Sequence, residues 1–178
     1  MRFNLSAIVV FSCLFSLPAL LNNAIGASAG WGRVNMQGAI VDSACAIELG
    51  SREQIIDMGV NPLSDFIRDG QGYRKPFSIH LVNCTTQRPG KDDWKKFQVT
   101  FDGKSDGDLF GVYGEASGVA LQITDASGIM ALPGKAMPLL NITPGNRQLN
   151  YTLNLKGNNQ ELKAGKYFAL IRFKLDYF

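Results

Sequence analysis

AGKYFALIRFKLDYF (Ala164–Phe178) alternates with the two-residue period of an extended strand, placing Tyr167, Ala169, Ile171, Phe173, Leu175 and Tyr177 on one face. Arg172, Lys174 and Asp176 fall on the other. The strand runs to Phe178, the last residue of the sequence, so the chain is expected to hold nothing further with which to pair one of its edges. An unpaired edge is a template for another chain, and proteins usually blunt it with charge, proline or a cover. Two readings stand at this point. One is an ordinary last strand paired on both sides; the other is an incomplete sheet finished by another polypeptide.

The same period recurs upstream. Phe77, Ile79 and Leu81 alternate with polar neighbours, as do Phe97, Val99 and Phe101, then Val119, Leu121 and Ile123, then Leu149, Tyr151, Leu153 and Leu155. Gln54–Gly59 is a short apolar run, and Val34, Met36 and Ala39–Val41 lead into Cys45. No helical stretch of useful length is expected. Turn signals separate the runs at Asn61-Pro62, Asp69-Gly70, Pro89-Gly90, Asp102-Gly103, Pro133-Gly134 and Pro144-Gly145. About seven short strands so spaced predict an all-β fold, a one-domain β-sandwich of immunoglobulin-like type. With 178 residues, 46% of them hydrophobic and 19% charged, the chain has enough apolar material for one core. A net charge of +3 is too small to predict nucleic-acid binding.

The start of the chain reads differently. Met1–Ser6 carries one charge, Arg2; Ala7–Leu21 is almost wholly apolar; small residues follow from Ala24 to Ala29. This is the pattern of a secretory signal peptide, placed at residues 1–27 with cleavage between 24 and 29. Cys13 leaves with it, and Cys45 and Cys84 remain to pair in an oxidising compartment. The loop they close implies about 4 kcal/mol of stabilisation on the chain-entropy account.

Catalytic chemistry is sparse. The lone His80 sits in an alternating strand and reads as structural. Hydrolytic nucleophile motifs are missing, and the glycines of Gly103–Gly114 lack phosphate-cradling spacing. Asp102–Asp108 lacks the pattern of a calcium loop and reads as a solvated turn. Lys91, Lys95 and Lys96 around Trp94 read as an exposed face, and the three Asn-x-Thr triplets at Asn83, Asn141 and Asn150 as chance. No enzyme activity, cofactor or metal is expected.

Gly38–Ala46 (GAIVDSACA), Asn83-Cys84 and the tail, with Gly165 fourteenth from the end and Tyr177 penultimate, resemble the pilus subunits of the bacterial chaperone–usher family. Five further blocks resemble its P-pilus-type terminating and anchoring subunit: Gln54–Gly59, Val99–Gly103, Ala120–Asp125, Gly134–Pro138 and Leu149–Leu155. The resemblance implies an incomplete immunoglobulin-like sandwich lacking its last strand, at residues 37–178. It also implies three partners: a periplasmic chaperone that lends a strand, an outer-membrane usher, and neighbouring pilus subunits. The strand that chaperone and usher recognise would comprise Gly165, Tyr167, Ala169, Ile171, Phe173, Leu175, Tyr177 and Phe178, with basic residues of the chaperone holding the Phe178 carboxylate. Docking four or five apolar side chains in the groove implies roughly 6–15 kcal/mol before ordering costs.

A donor segment at residues 28–36, with Ala27 just before it, would present Ala27, Ala29, Trp31 and Arg33 to a neighbouring subunit. Cleavage after Ala29 would leave too short a segment to fill a groove, and cleavage after Ala24 would lengthen it. The resulting expectation is a fimbrial subunit exported through the periplasm to the cell surface, a minor one at the base that ends growth and anchors the fibre. A shaft or adaptor subunit is the alternative within the family, and a self-contained secreted lectin-like module the alternative outside it. A groove closed at one end would separate terminator from shaft.

Overall fold

Alternating apolar residues along Phe77–Leu81 and Leu149–Leu155 build the two longest strands of the protein, which lie antiparallel with Tyr151 opposite Phe77 and Leu149 opposite Ile79. The computed structural model describes residues 30–178. The signal peptide expected at 1–27, and Ala27 and Ala29 of the expected donor segment, lie outside the described residues. Two units divide the chain at Ile40/Val41. In the described part of the first, residues 30–40 are exposed and form neither helix nor strand. Val34 and Met36, expected to begin a strand, therefore have no ladder partner there.

Among the described residues, all the regular structure lies in the second unit, Val41–Phe178. In chain order it comprises β1 (Ala46–Ile47), α1 (Leu49–Arg52), α2 (Leu63–Asp69), β2 (Gln71–Cys84), β3 (Lys96–Gly103), β4 (Ser105–Asp106) and β5 (Leu109–Gly111). There follow β6 (Tyr113–Gly114), β7 (Val119–Asp125), β8 (Met130–Ala131), β9 (Leu140–Asn141), β10 (Gly145–Gly157), β11 (Tyr167–Phe168) and β12 (Ile171–Tyr177). One sheet runs β1-β2-β10-β7-β5-β4, with β8 on β7; the facing sheet runs β12-β3-β9; β11 and β6 form a two-stranded ribbon. The order β1-β2-β10-β7 against β3 and β12 is that of an incomplete immunoglobulin-like sandwich, with no seventh strand beside β12 among the described residues.

The core lies between the sheets. Ile79, Leu81, Leu121, Ile123, Tyr151, Leu153 and Leu155 pack from one side and Phe97, Val99 and Phe101 from the other, all buried. Burial of apolar area at about 25 cal/mol per Å² is the main force holding the sheets together. The Cys45–Cys84 disulfide forms as expected and ties the entry of β1 to the end of β2.

Three expectations need correction. Helices were not foreseen, yet α2 is built from Leu63, Phe66 and Ile67 at helical spacing. It starts directly after Pro62 and ends at Gly70, whose left-handed conformation lets its N–H donate to the Phe66 carbonyl at 3.0 Å. Gln54–Gly59 is not a strand, because no neighbouring backbone pairs with it among the described residues. Asp102-Gly103 is not a turn: both residues stay in β3, opposite Arg172 and Ile171, and the chain reverses later at Gly107.

Candidate functional site

β12 is the element on which the site is built. Its inward residues meet those of β3 in register, with Tyr177 opposite Phe97, Leu175 opposite Val99, Phe173 opposite Phe101 and Ile171 opposite Gly103. Each of these four β12 side chains, with Tyr167 and Ala169, packs on the core yet remains partly exposed. The cause is the second edge of β12. Among the described residues no strand pairs with it.

Beside that edge lies a groove of about 1310 Å³. One rim is Ala164–Phe173; the other is the segment Ile55–Val60. Ile56 and Met58 turn inward while Ile55 and Val60 stand exposed. Among the described residues no backbone hydrogen bond crosses the groove between the two rims. The arrangement can therefore accept one extended strand.

Aromatic rings support the groove. Phe77 and Phe101 line it, and Phe101 packs edge-on to Tyr151 at 5.0 Å between centroids and lies 6.3 Å from Phe173. Burial pushes the Tyr151 phenol up to about 12, Asp125 adding to the rise and Arg147 opposing it. Burial also raises Tyr167, and then the Asp57 carboxylate. The Tyr167 hydroxyl is shielded from solvent and finds no hydrogen-bond partner among the described residues.

The two ends of the groove differ. At the disulfide end, the Tyr177 hydroxyl donates to the Cys45 carbonyl at 3.3 Å, and its ring lies 5.9 Å from Trp94. The Phe178 main-chain oxygen accepts from the backbone N–H groups of Lys95 and Lys96 at 2.7 and 3.0 Å. Trp94 corrects an expectation. It is buried beneath the Arg88 guanidinium, 3.9 Å from the ring centroid, while Lys91, Lys95 and Lys96 are exposed. Arg88 also holds Asp42, whose carboxyl it keeps below the usual range with help from Lys91.

β2 runs away from the far end towards Cys84, so α2, just before Gln71, stands at that far end, near Ala164–Tyr167. Leu63, Phe66 and Asn61 line the groove there. Asn61 locks the corner: its side-chain oxygen accepts from the Tyr73 N–H at 2.6 Å, and its amide donates to the Met58 carbonyl at 3.2 Å. Gly165 marks the same end, where a Cβ would stand 2.7 Å from the Glu115 Cβ.

The remaining expected residues lie elsewhere. Trp31 and Arg33 are exposed in the first unit. His80 has its Nδ1 3.9 Å from a Glu48 oxygen, and no group of three metal-ligating side chains occurs among the described residues. Sequence reasoning missed the second rim and the α2 end. Pro62, Gly70 and the spacing of Leu63, Phe66 and Ile67 were the signals that marked α2.

No family model matches the chain. It is 38% identical over 150 residues to the PRS fimbrial minor pilin protein of Escherichia coli, covering 82% of this chain and 77% of that protein. It is 30% identical over 167 residues to the major MR/P fimbria protein of Proteus mirabilis, covering 90% and 92%. In fold it is similar to the P pilus rod subunit, with a TM-score of 0.68 at 23% identity over 76% of this chain and all of that one.

Proposed function

The chain belongs to the fimbrial pilins, and on that premise we propose that it is a structural, non-enzymatic minor subunit of a chaperone–usher fimbria, seated at the base where it ends growth and anchors the fibre. The observation that carries this reading is the edge of β12, above an apolar groove, with which no strand pairs among the described residues. A periplasmic chaperone lends the missing strand, an outer-membrane usher receives the complex, and residues 28–36 of this chain, freed by signal cleavage, serve as its own donor to the neighbouring subunit.

Two observations support the basal, terminating role over a shaft role. The minor pilin relative is more similar, at 38% identity, than the major fimbria protein, at 30%. And α2 with Asn61 walls the far end of the groove, the place where a terminating subunit's groove is expected to be closed.

Co-expression with the cognate chaperone is expected to yield a one-to-one complex that removal of Asp176–Phe178 abolishes; an unaffected complex refutes the role of β12. Deleting the gene is expected to give longer or shed fibres. Shorter or absent fibres would mean a shaft subunit instead.

A further inference from the structure

We infer that the outer face of the larger sheet carries a docking site for an acidic side chain of a partner polypeptide. Arg74, Lys156 and Asn154 form it, and the Gln71 side-chain oxygen stands where that partner's carboxylate oxygen would bind. None of these four residues lines the groove, so the site goes beyond the strand-accepting role proposed above and does not depend on it.

Four side chains from two neighbouring strands meet there. Asn154 and Lys156 alternate with Leu153 and Leu155, which pack in the core, and so stand on the opposite face of β10. Along β2 the register slips by one residue, with Asn154 opposite Arg74 but Lys156 opposite Gln71. A slip of this kind re-aims side chains, and here it brings Gln71 and Arg74, three residues apart, to the same face. All converge on one atom. The Gln71 Oε1 accepts from Lys156 Nζ at 3.0 Å, from Asn154 Nδ2 at 3.3 Å and from Arg74 Nη2 at 3.4 Å.

The cluster lacks a charge and a donor. Its two cations share a neutral amide oxygen, and among the described residues neither Arg74 nor Lys156 pairs with a carboxylate. Like charges held this close repel unless an anion lies between them. Asn154 is only 4% exposed, yet its Oδ1 has no hydrogen-bond partner among the described residues. Gln122, opposite it on β7, directs its own amide to the Met130 sulfur at 3.1 Å.

The cations cause the orphan. They oblige Gln71 to present its oxygen, which obliges Asn154 to present its NH2 and leaves a buried acceptor unmatched, a costly state. A carboxylate removes both faults. Its oxygen is planar like an amide's and carries the missing charge, so Arg74 and Lys156 bind it more strongly than they bind Gln71. Released from the cations, the Gln71 carboxamide turns over and donates its Nε2 N–H to Asn154 Oδ1.

The test uses isotope-labelled protein in the form in which it is isolated, alone or with its chaperone, and two short end-capped peptides. One carries a central pair of Glu residues and the other a central pair of Gln residues. Titration is followed by NMR at the Asn154 side-chain amide, which burial shields from nonspecific ionic effects, and at the Arg74 Nε–H. The Glu peptide is expected to move both signals saturably. The Gln peptide, and sodium chloride at equal ionic strength, should leave Asn154 unmoved. Arg74→Gln and Lys156→Gln are each expected to weaken binding of the Glu peptide about three- to fivefold, in keeping with partly exposed ion pairs. Gln71→Glu places a carboxylate in the cluster permanently, and is expected to raise the thermal midpoint and abolish the response. Equal responses to the two peptides, an unmoved Asn154 signal, or undiminished binding by Gln71→Glu overturns the inference. Inorganic phosphate that binds more tightly than the Glu peptide overturns the acidic side chain as occupant and assigns the site to a phosphate-bearing partner.

Discussion

The Tyr177 hydroxyl reaches the Cys45 carbonyl at 3.3 Å across 132 residues of sequence, so the end of the last strand and the disulfide form a single joint. The joint fixes the floor of the groove at one end. The opposite rim follows Cys45 through only β1 and α1.

Removing only the hydroxyl, by Tyr177→Phe, is expected to cost about 1 kcal/mol, the net worth of one such hydrogen bond. Tyr177→Ala also strips the ring from Trp94 and Phe97 and is expected to cost about 3 kcal/mol. Urea midpoints of the protein in complex with its chaperone measure both. Equal loss in the two variants would show that the ring packing contributes nothing.

Alkaline pH provides an independent probe of the aromatic floor. The Tyr151 phenol is raised from 10.0 to about 12, chiefly by burial, and burial raises Tyr167 and Tyr177 too. A raised folded value means that the folded protein holds its proton more tightly than the unfolded chain does. The associated stability is therefore complete below pH 10 and is lost as pH climbs towards 12. Tyr151→Phe is expected to flatten the fall in thermal midpoint over that window while leaving the profile below pH 9 unchanged in shape.

Reduction of Cys45–Cys84 is expected to cost 2–5 kcal/mol, as is typical of small secreted domains. The effect should concentrate at the disulfide end of the groove. Hydrogen exchange of the Tyr177 and Phe178 amides should accelerate more than that of Leu121 or Ile123 in the reduced protein. Uniform acceleration would argue against a local joint.

Much of this architecture is legible in the chain because period-two alternation is imposed by burial on one face. Phe97-Val99-Phe101 and Ile171–Tyr177 announce both their strand character and which side chains face inward, and the structure seats them that way. What the pattern does not carry is pairing. Gln54–Gly59 is an apolar run that reads like a strand, but strand identity belongs to the partner as much as to the segment, and among the described residues no backbone pairs with it. The same reason hides the second rim of the groove. Helix α2 was missed because Asn61-Pro62 and Asp69-Gly70 read as turns, whereas the same residues cap a seven-residue helix between them. Trp94 among lysines looked exposed; its ring is covered by Arg88 and by Tyr177, a residue far along the chain.

Gly165 owes its identity to a close approach. A Cβ there would lie 2.7 Å from the Glu115 Cβ and 2.8 Å from the Ala116 nitrogen. Those two residues also donate their backbone N–H groups to the Lys166 carbonyl, at 2.8 and 3.2 Å. The chain must come this near for the two hydrogen bonds to form, and they aim Tyr167 and Phe168 along the rim. Gly165→Ala therefore forces the strands apart, at a cost of about 1–3 kcal/mol, and Gly165→Val costs more. Because the displacement tilts the rim, capture of the lent strand should slow along with the loss of stability. The measurement is the rate of complex formation with the chaperone, compared at matched stability with Tyr177→Phe. If Gly165→Ala forms the complex no more slowly than that variant, the close approach serves folding alone and has no part in shaping the groove.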